Sequence, residues 1–425
     1  MAYLQRMLEN ILTDTIDTRP LVYLNGMRQC GKSTLVQNLS IANELNYITF
    51  DNPASLFFAR NDPAGFIEQL PSDKLNIIDE VQLAPELFRQ FKIIVDKKRF
   101  VAANRGAGKD RALYVLTGSA NIFALPKLAD ALVGRMSILT LHPFSASEIK
   151  GTGVNFLEKL WNDDLKPREY TRAKIVDVVS ASTFPEIAIN RKKDRYLWFN
   201  DYITTILQRD VRTLADIKNP DNVYQLLVSF SQRVGGLLNN ANVIKETGLD
   251  AKTYEKYKTL CSSTFLIYEL PSWSRPNKLN KRFVKQKKLY FNDTALLCHI
   301  MQRDMGEIFK NDSTTMGHVF ENFIAAEIMK ASKSLGPFSV SHFNPVQNHG
   351  REVDFVVENP RGEAIGIEVK LGATIDGKDW ANMSALQEIT GNKFKKGIVI
   401  YTGTALMQVA RNIWAVPVNY LWEKN

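Results

Sequence analysis

Gly26-Met27-Arg28-Gln29-Cys30-Gly31-Lys32-Ser33 fits the pattern G-x-x-x-x-G-K-[ST]. The residues on either side supply the context this pattern needs. Leu21-Val22-Tyr23-Leu24 reads as a short buried strand, and Thr34-Leu35-Val36-Gln37-Asn38-Leu39 reads as a helix. A strand, a glycine-rich turn and a helix N-terminus together aim backbone N–H groups at a polyphosphate. Gly26, Met27, Arg28, Gln29, Cys30, Gly31, Lys32, Ser33 and Thr34 are therefore expected to surround the phosphates of ATP. Lys32 would reach the β- and γ-phosphates, and the Ser33 hydroxyl would hold Mg²⁺.

Binding alone does not imply hydrolysis, so the next signal is Leu75-Asn76-Ile77-Ile78-Asp79-Glu80. Its apolar residues suit a buried parallel strand, and two acids follow at the end where open α/β sheets hold ligands. Asp79 is expected on the Mg²⁺ ion, and Glu80 as the residue that orients and deprotonates the attacking water. A third strand, Leu113-Tyr114-Val115-Leu116, ends in Thr117-Gly118-Ser119. Ser119, with Thr117 behind it, is expected to sense the γ-phosphate; a helix N-cap is the competing use of such residues. Arg135, in Leu132-Val133-Gly134-Arg135-Met136, offers a cation for transition-state charge, in cis or across a subunit contact, or a structural ion pair.

These stretches, with Leu141-His142-Pro143-Phe144-Ser145-Ala146-Ser147-Glu148, resemble the prokaryotic AAA-type ATPases that carry a C-terminal domain of unknown function. The resemblance runs nearly end to end and implies ATP hydrolysis with Mg²⁺. Arg28 matches an arginine common in that family, while Met27 and Cys30 depart from its usual residues.

With 425 residues the chain exceeds one ordinary core, and three parts are expected. Residues 1–150 form the parallel-sheet α/β ATPase part, 151–300 a helical and winged-helix-like middle, and 301–425 an α/β nuclease-like part. No apolar run is long enough to span a bilayer, and the N-terminus lacks a signal peptide. Cys30, Cys261 and Cys298 suggest neither a disulfide framework nor a zinc site, which fits the cytoplasm. Residues 1–150 hold 17 Lys+Arg against 15 Asp+Glu, so 37 against 30 fall in the remaining 275 of a chain with net charge +9. The basic excess lies away from the nucleotide part and points to an anionic partner.

In the middle, a helix over 223–234, Gly235-Gly236, a short helix over 241–247 and a longer one over 251–262 suggest a helix-turn-helix. Lys252 and Lys256 share one face of the longer helix. Strands at 265–268 and 289–291 flank Lys278-Leu279-Asn280-Lys281-Arg282-Phe283-Val284-Lys285-Gln286-Lys287-Lys288, which carries basic residues and no acid. As a wing, Lys281, Arg282, Lys285, Lys287 and Lys288 would meet nucleic-acid phosphates; as a loop, they would face only water. Six such contacts, Lys278 included, would give a salt slope of about −5.

In the last third, residues 351–357 and 364–370 alternate as two strands joined by a turn. Glu368 and Lys370 lie two apart on one face, where Asp354 can meet them. Glu321 sits on an apolar stripe of a helix over 316–331 and needs a partner, either a metal or Lys370. The order Glu321, Asp354, Glu368-Val369-Lys370 resembles the PD-(D/E)xK nuclease superfamily, especially its Holliday-junction-resolvase-like members. That resemblance implies a restriction-endonuclease-like fold, Mg²⁺ held by Glu321, Asp354 and Glu368, and Lys370 as a catalytic cation.

The expectation is an ATP- and Mg²⁺-dependent hydrolase coupled to DNA binding and to Mg²⁺-dependent cleavage. The alternative is a nucleotide-controlled switch or scaffold that binds a protein or nucleic acid through a nuclease-like part that does not cut. A trans-acting Arg135 implies a homo-oligomer, and neither reading involves a membrane.

Overall fold

The computed structural model describes residues 3–40, 45–105, 112–119, 134–162, 165–180, 184–190, 193–210, 219–274, 286–344 and 352–424. The apolar run after Pro20 forms β1 (Leu21–Gly26), and its alternation divides the surrounding core. Val22 and Leu24 join one apolar cluster, and Leu21 and Tyr23 join another on the opposite face. β2 (Leu45–Thr49), β3 (Leu75–Asp79), β4 (Tyr114–Gly118) and β5 (Ser137–Leu141) complete a sheet in the order β2-β3-β4-β1-β5. Every pairing in it is parallel. β1, β3 and β4 are buried throughout, as their near-continuous apolar runs require. The result is a P-loop NTPase-like α/β fold, with the glycine-rich loop, Asp79-Glu80 and Thr117–Ser119 gathered at the C-terminal ends of adjacent strands.

The middle is mainly helical. A two-residue strand, β6 (Arg168–Glu169), leaves it to pair with the C-terminal sheet. Helices Asp221–Ser231, Asn240–Thr247 and Ala251–Ser263 follow in the expected order. Asn239 and Asp250 cap the second and third, and Gly248 ends the second in the left-handed conformation. β7 (Ile267–Leu270) and β8 (Lys288–Phe291) pair antiparallel, and Leu237 bridges to Lys288.

The long helix Ser313–Lys333 then precedes β9 (Ser339–Phe343), β10 (Val353–Glu358) and β11 (Ala364–Lys370). Helix Ala381–Thr390 leads into β12 (Phe394–Tyr401), β13 (Ala405–Ala410) and β14 (Ile413–Pro417). The sheet order is β6-β13-β14-β12-β11-β10-β9. β10 and β11 form the expected antiparallel pair, while β11 runs parallel to β12. Met383 and Leu386 of helix Ala381–Thr390 pack on one face of this sheet, and Phe320 and Ile324 of the long helix join the larger core that continues to the ATPase part. Among the described residues, no helix is long and apolar enough to cross a membrane.

Candidate functional site

The phosphate loop turns on residues that tolerate left-handed backbone. Gly31 has φ 97° and Gln29 φ 59°. A Cβ on Gly26 would stand 2.0 Å from the Leu141 carbonyl oxygen, so the close approach of β5 demands glycine there. Lys32 donates to the carbonyls of Gly26 and Met27 at 3.1 and 2.8 Å, which holds its ammonium against the loop. Helix Lys32–Gln37 starts directly at the loop, so its first N–H groups, which have no partner within the helix, face that end of the sheet as an anion site would need. The Cys30 thiol instead points into the core, 3.3 Å from the Leu141 carbonyl oxygen, so this position offers only backbone to the face of the loop.

Asp79 is the hub of the polar network. Its Oδ2 accepts from the Ser33 hydroxyl at 2.7 Å and from the Tyr47 hydroxyl at 2.5 Å, and its Oδ1 accepts from Thr117. Ser33 and Asp79 thus meet as a Mg²⁺ ion between loop and strand would need, and their hard oxygens suit that ion. Glu80 follows in left-handed backbone, φ 58°. Burial pushes its carboxyl above the usual range, Lys32 draws it back, and Asp79 raises it further. Gln82 donates to both Glu80 and the Ser119 hydroxyl, the latter at 3.2 Å. The expected Ser119 is therefore joined to Glu80 through Gln82, whereas Thr117 touches Asp79 directly. Sequence reasoning assigned no role to Tyr47 or Gln82. Gln82 stands two residues after the acid pair, a visible signal; Tyr47 has none.

The segment 141–148 is explained by what it holds. Arg6 donates to Glu148 at 3.1 Å, to the Cys30 carbonyl at 2.9 Å and to the His142 carbonyl at 2.6 Å, and it lies over the Phe144 ring. Glu148 also closes a capping box with Ser145. From the other side, Ala146 N–H donates to Glu327 at 3.0 Å and Lys330 donates to the Phe144 carbonyl at 3.0 Å. One short segment thus joins the back of the phosphate loop to helix Ser313–Lys333. A cleft of about 210 Å³ opens beside the loop, lined by Arg28, Gln29, Lys193, Trp198 and Tyr202 among others.

Arg135 does not fit the expected role within its own subunit. Its backbone lies just before β5, whose Ser137 pairs with Val22, whereas Gly26 at the phosphate loop pairs with Leu141. Arg135 therefore sits at the end of the sheet remote from the phosphate loop, in the ion pair that was the other expectation for it, with Asp96 at 2.6 Å.

A second polar cluster forms where the middle meets the C-terminal sheet, and it corrects two expectations. Lys288, expected on an exposed wing, is 3% exposed. Its ammonium lies 3.0 Å from Glu321 Oε1, 3.1 Å from Asp354 Oδ1 and 2.7 Å from Glu352 Oε1. Lys370, expected among these acids, is instead half-exposed, 3.8 Å from Asp379. The reason is register: β8 brings Lys288 onto the acids from an earlier part of the chain. Burial pulls the Lys288 ammonium down, but Asp354, Glu321 and Glu352 outweigh it and raise its pKa. The Tyr290 hydroxyl donates to Glu321 at 2.6 Å, and Val369 N–H donates to Asp354 at 3.0 Å. Gly235 makes room: a Cβ there would lie 3.1 Å from Glu321 Oε2. Glu368 is 4% exposed, and its Oε1 has no hydrogen-bond partner. Burial and the Asp354 charge push Glu368 well above the usual carboxylate range, and they push Glu321 to about 7. The oxygens suit Mg²⁺, yet an ammonium stands among them. Among the described residues no group of three or more His, Cys, Asp or Glu is arranged to hold a metal ion.

Of the remaining basic residues, Lys252 and Lys256 are exposed on their helix, and Lys287 pairs with Glu269 at 3.2 Å. Lys281, Arg282 and Lys285 lie outside the described residues.

Known families match the chain in three stretches. Residues 18–150 match the family described as "AAA domain". Residues 172–307 and 316–421 match two domains of unknown function, DUF8612 and DUF4143. The uncharacterized proteins Rv2008c of Mycobacterium tuberculosis and Mb2031c of Mycobacterium bovis are each 22% identical over 403 residues, which is 95% of this chain and 81% of theirs. Among solved structures, the Walker-type ATPase PABY2304 of Pyrococcus abyssi aligns with TM-score 0.41 and 12% identity, over 70% of this chain and 96% of that one. With its parallel sheet, phosphate loop and Asp79-Glu80 pair, the N-terminal part of the chain is a P-loop ATPase domain of the AAA type.

Proposed function

We propose that this chain is a Mg²⁺-dependent ATPase that couples nucleotide turnover to an action on DNA. The observation that carries the reading is the contact of Ser33 with Asp79, with Glu80 and the Gln82–Ser119 pair beside it. Ser33 and Asp79 would hold Mg²⁺, which shields phosphate charge when bound. Lys32 leaves the loop carbonyls for the phosphates. Glu80 orients the attacking water and takes its proton, its raised affinity for protons suiting a base. Gln82 ties Glu80 to Ser119, so a γ-phosphate sensed at Ser119 is felt at the base. Arg135 serves across a subunit contact in a homo-oligomer, since its own nucleotide site is at the far end of the sheet.

The coupling to DNA rests on two further features. Three helices followed by the β7–β8 hairpin, with Leu237 bridging to Lys288, support a winged helix with Lys252 and Lys256 toward the phosphates. The order of helix Ser313–Lys333, β9, β10, β11, helix Ala381–Thr390 and β12 supports a restriction-endonuclease-like part. A second reading, in which that part binds DNA without cutting, is favoured by the Lys288 ammonium among its acids. A panel of linear, branched and single-stranded DNA with Mg²⁺ or Mn²⁺, with and without ATP, tests both. Cleavage lost in Asp354→Ala supports the first reading. Binding without cleavage supports the second, and neither binding nor cleavage overturns the DNA assignment.

A further inference from the structure

We propose that the Lys288 side chain is a built-in competitor for a divalent cation at Glu321, Asp354 and Glu368. The inference rests on the reading of the C-terminal part given above, but not on its cutting DNA. Four carboxylates, of Glu321, Glu352, Asp354 and Glu368, converge from helix Ser313–Lys333, β10 with its preceding residue, and β11. Among the described residues the Lys288 ammonium is bonded to Glu321 and Asp354 and paired with Glu352, while the Lys370 charge also bears on Glu368. Two of the three ammonium protons serve Glu321 and Asp354, and Glu352 stands beside it as a charge partner.

Glu368 is left over. Its side chain is buried beside Asp354, and Oε1 has no donor. Uncompensated buried negative charge is costly and is relieved by a proton or by a second cation. A divalent ion would supply that cation, held by the carboxylate oxygens of Glu321, Asp354 and Glu368 once Lys288 has withdrawn from them. A divalent ion at Glu321 and Asp354 would take the acceptors that Lys288 now uses, and two cations at that distance repel. Metal and Lys288 therefore exclude one another.

The test is Mn²⁺ binding to the full chain without DNA or nucleotide, with Asp79→Asn present to silence the phosphate-loop metal site. Calorimetry or the electron paramagnetic resonance of free Mn²⁺ reads it. Lys288→Met should bind Mn²⁺ about tenfold or more tightly than its Lys288 parent, and adding Asp354→Asn should remove that site. Equal affinity in parent and variant overturns the competition, and absence of binding in both overturns the site. Lys288→Gln, which keeps a polar group, is the second variant should Lys288→Met not fold. If neither folds, Lys288 cannot leave the acids and the inference is wrong. Failure of wild type to cleave DNA bears on the cutting activity alone, because no DNA enters this measurement.

Discussion

The Ser33 hydroxyl donates to Asp79 Oδ2 at 2.7 Å, joining the phosphate loop to the end of β3. The bond is not Asp79's sole support, since Tyr47 and Thr117 also donate to that carboxylate. Asp79→Asn keeps the shape but turns an acceptor into a donor toward Mg²⁺. ATP hydrolysis should fall by about 10²-fold or more, and the gain in ATP affinity on adding Mg²⁺ should vanish. Fluorescent-nucleotide titrations with and without Mg²⁺ check this. A variant that still binds more tightly with Mg²⁺ would remove Asp79 from the metal.

The Arg6–Glu148 pair is buried and backs the loop through the Cys30 carbonyl. Removing one charge leaves the other unpaired, so Arg6→Met should cost about 3–5 kcal/mol in urea unfolding. Arg6→Met with Glu148→Leu should recover much of that loss. A single variant within about 1 kcal/mol of wild type would contradict the clamp.

Asp293 predicts a pH dependence. It caps helix Thr294–Ile300 while fully buried, and burial raises its carboxyl from 3.8 to about 7. The native state then holds a proton that the unfolded chain has lost. Its contribution is complete below about pH 4, declines as pH rises toward 7, and is flat above that. Asp293→Asn, which still caps, should flatten the stability profile in that window by a few kcal/mol, because each tenfold difference in proton affinity between folded and unfolded chain is worth about 1.4 kcal/mol. Parallel profiles for variant and wild type would refute it.

The parts of the site that were legible in the sequence are those written in one stretch of chain. The loop 26–33, Asp79-Glu80 and Ser119 each follow a strand, and parallel pairing brings strand ends together without further information. The acids Glu321, Asp354 and Glu368 were legible for the same reason, as a stripe on a helix and alternation on strands. Their counter-ion was not. Period-two alternation put Lys370 on the right face, but it carried no information about Lys288, which a separate hairpin delivers. Composition made Lys288 look solvated because its neighbours are basic, yet at that end β8 lies between β7 and the bridge to Leu237. Arg6 was equally invisible, since its partners Glu148 and Cys30 are united only by the fold. The motif 141–148 could be seen in the sequence, but its use as a joint between the loop and helix Ser313–Lys333 required the contacts themselves.

The decisive comparison is of ATP affinity and steady-state hydrolysis in wild type and Glu80→Gln, in one buffer with Mg²⁺. If Glu80 is the base, ATP affinity stays within about threefold of wild type and turnover falls by about 10²–10⁴-fold, the range expected on loss of a general base. Turnover at the wild-type rate in Glu80→Gln would contradict it.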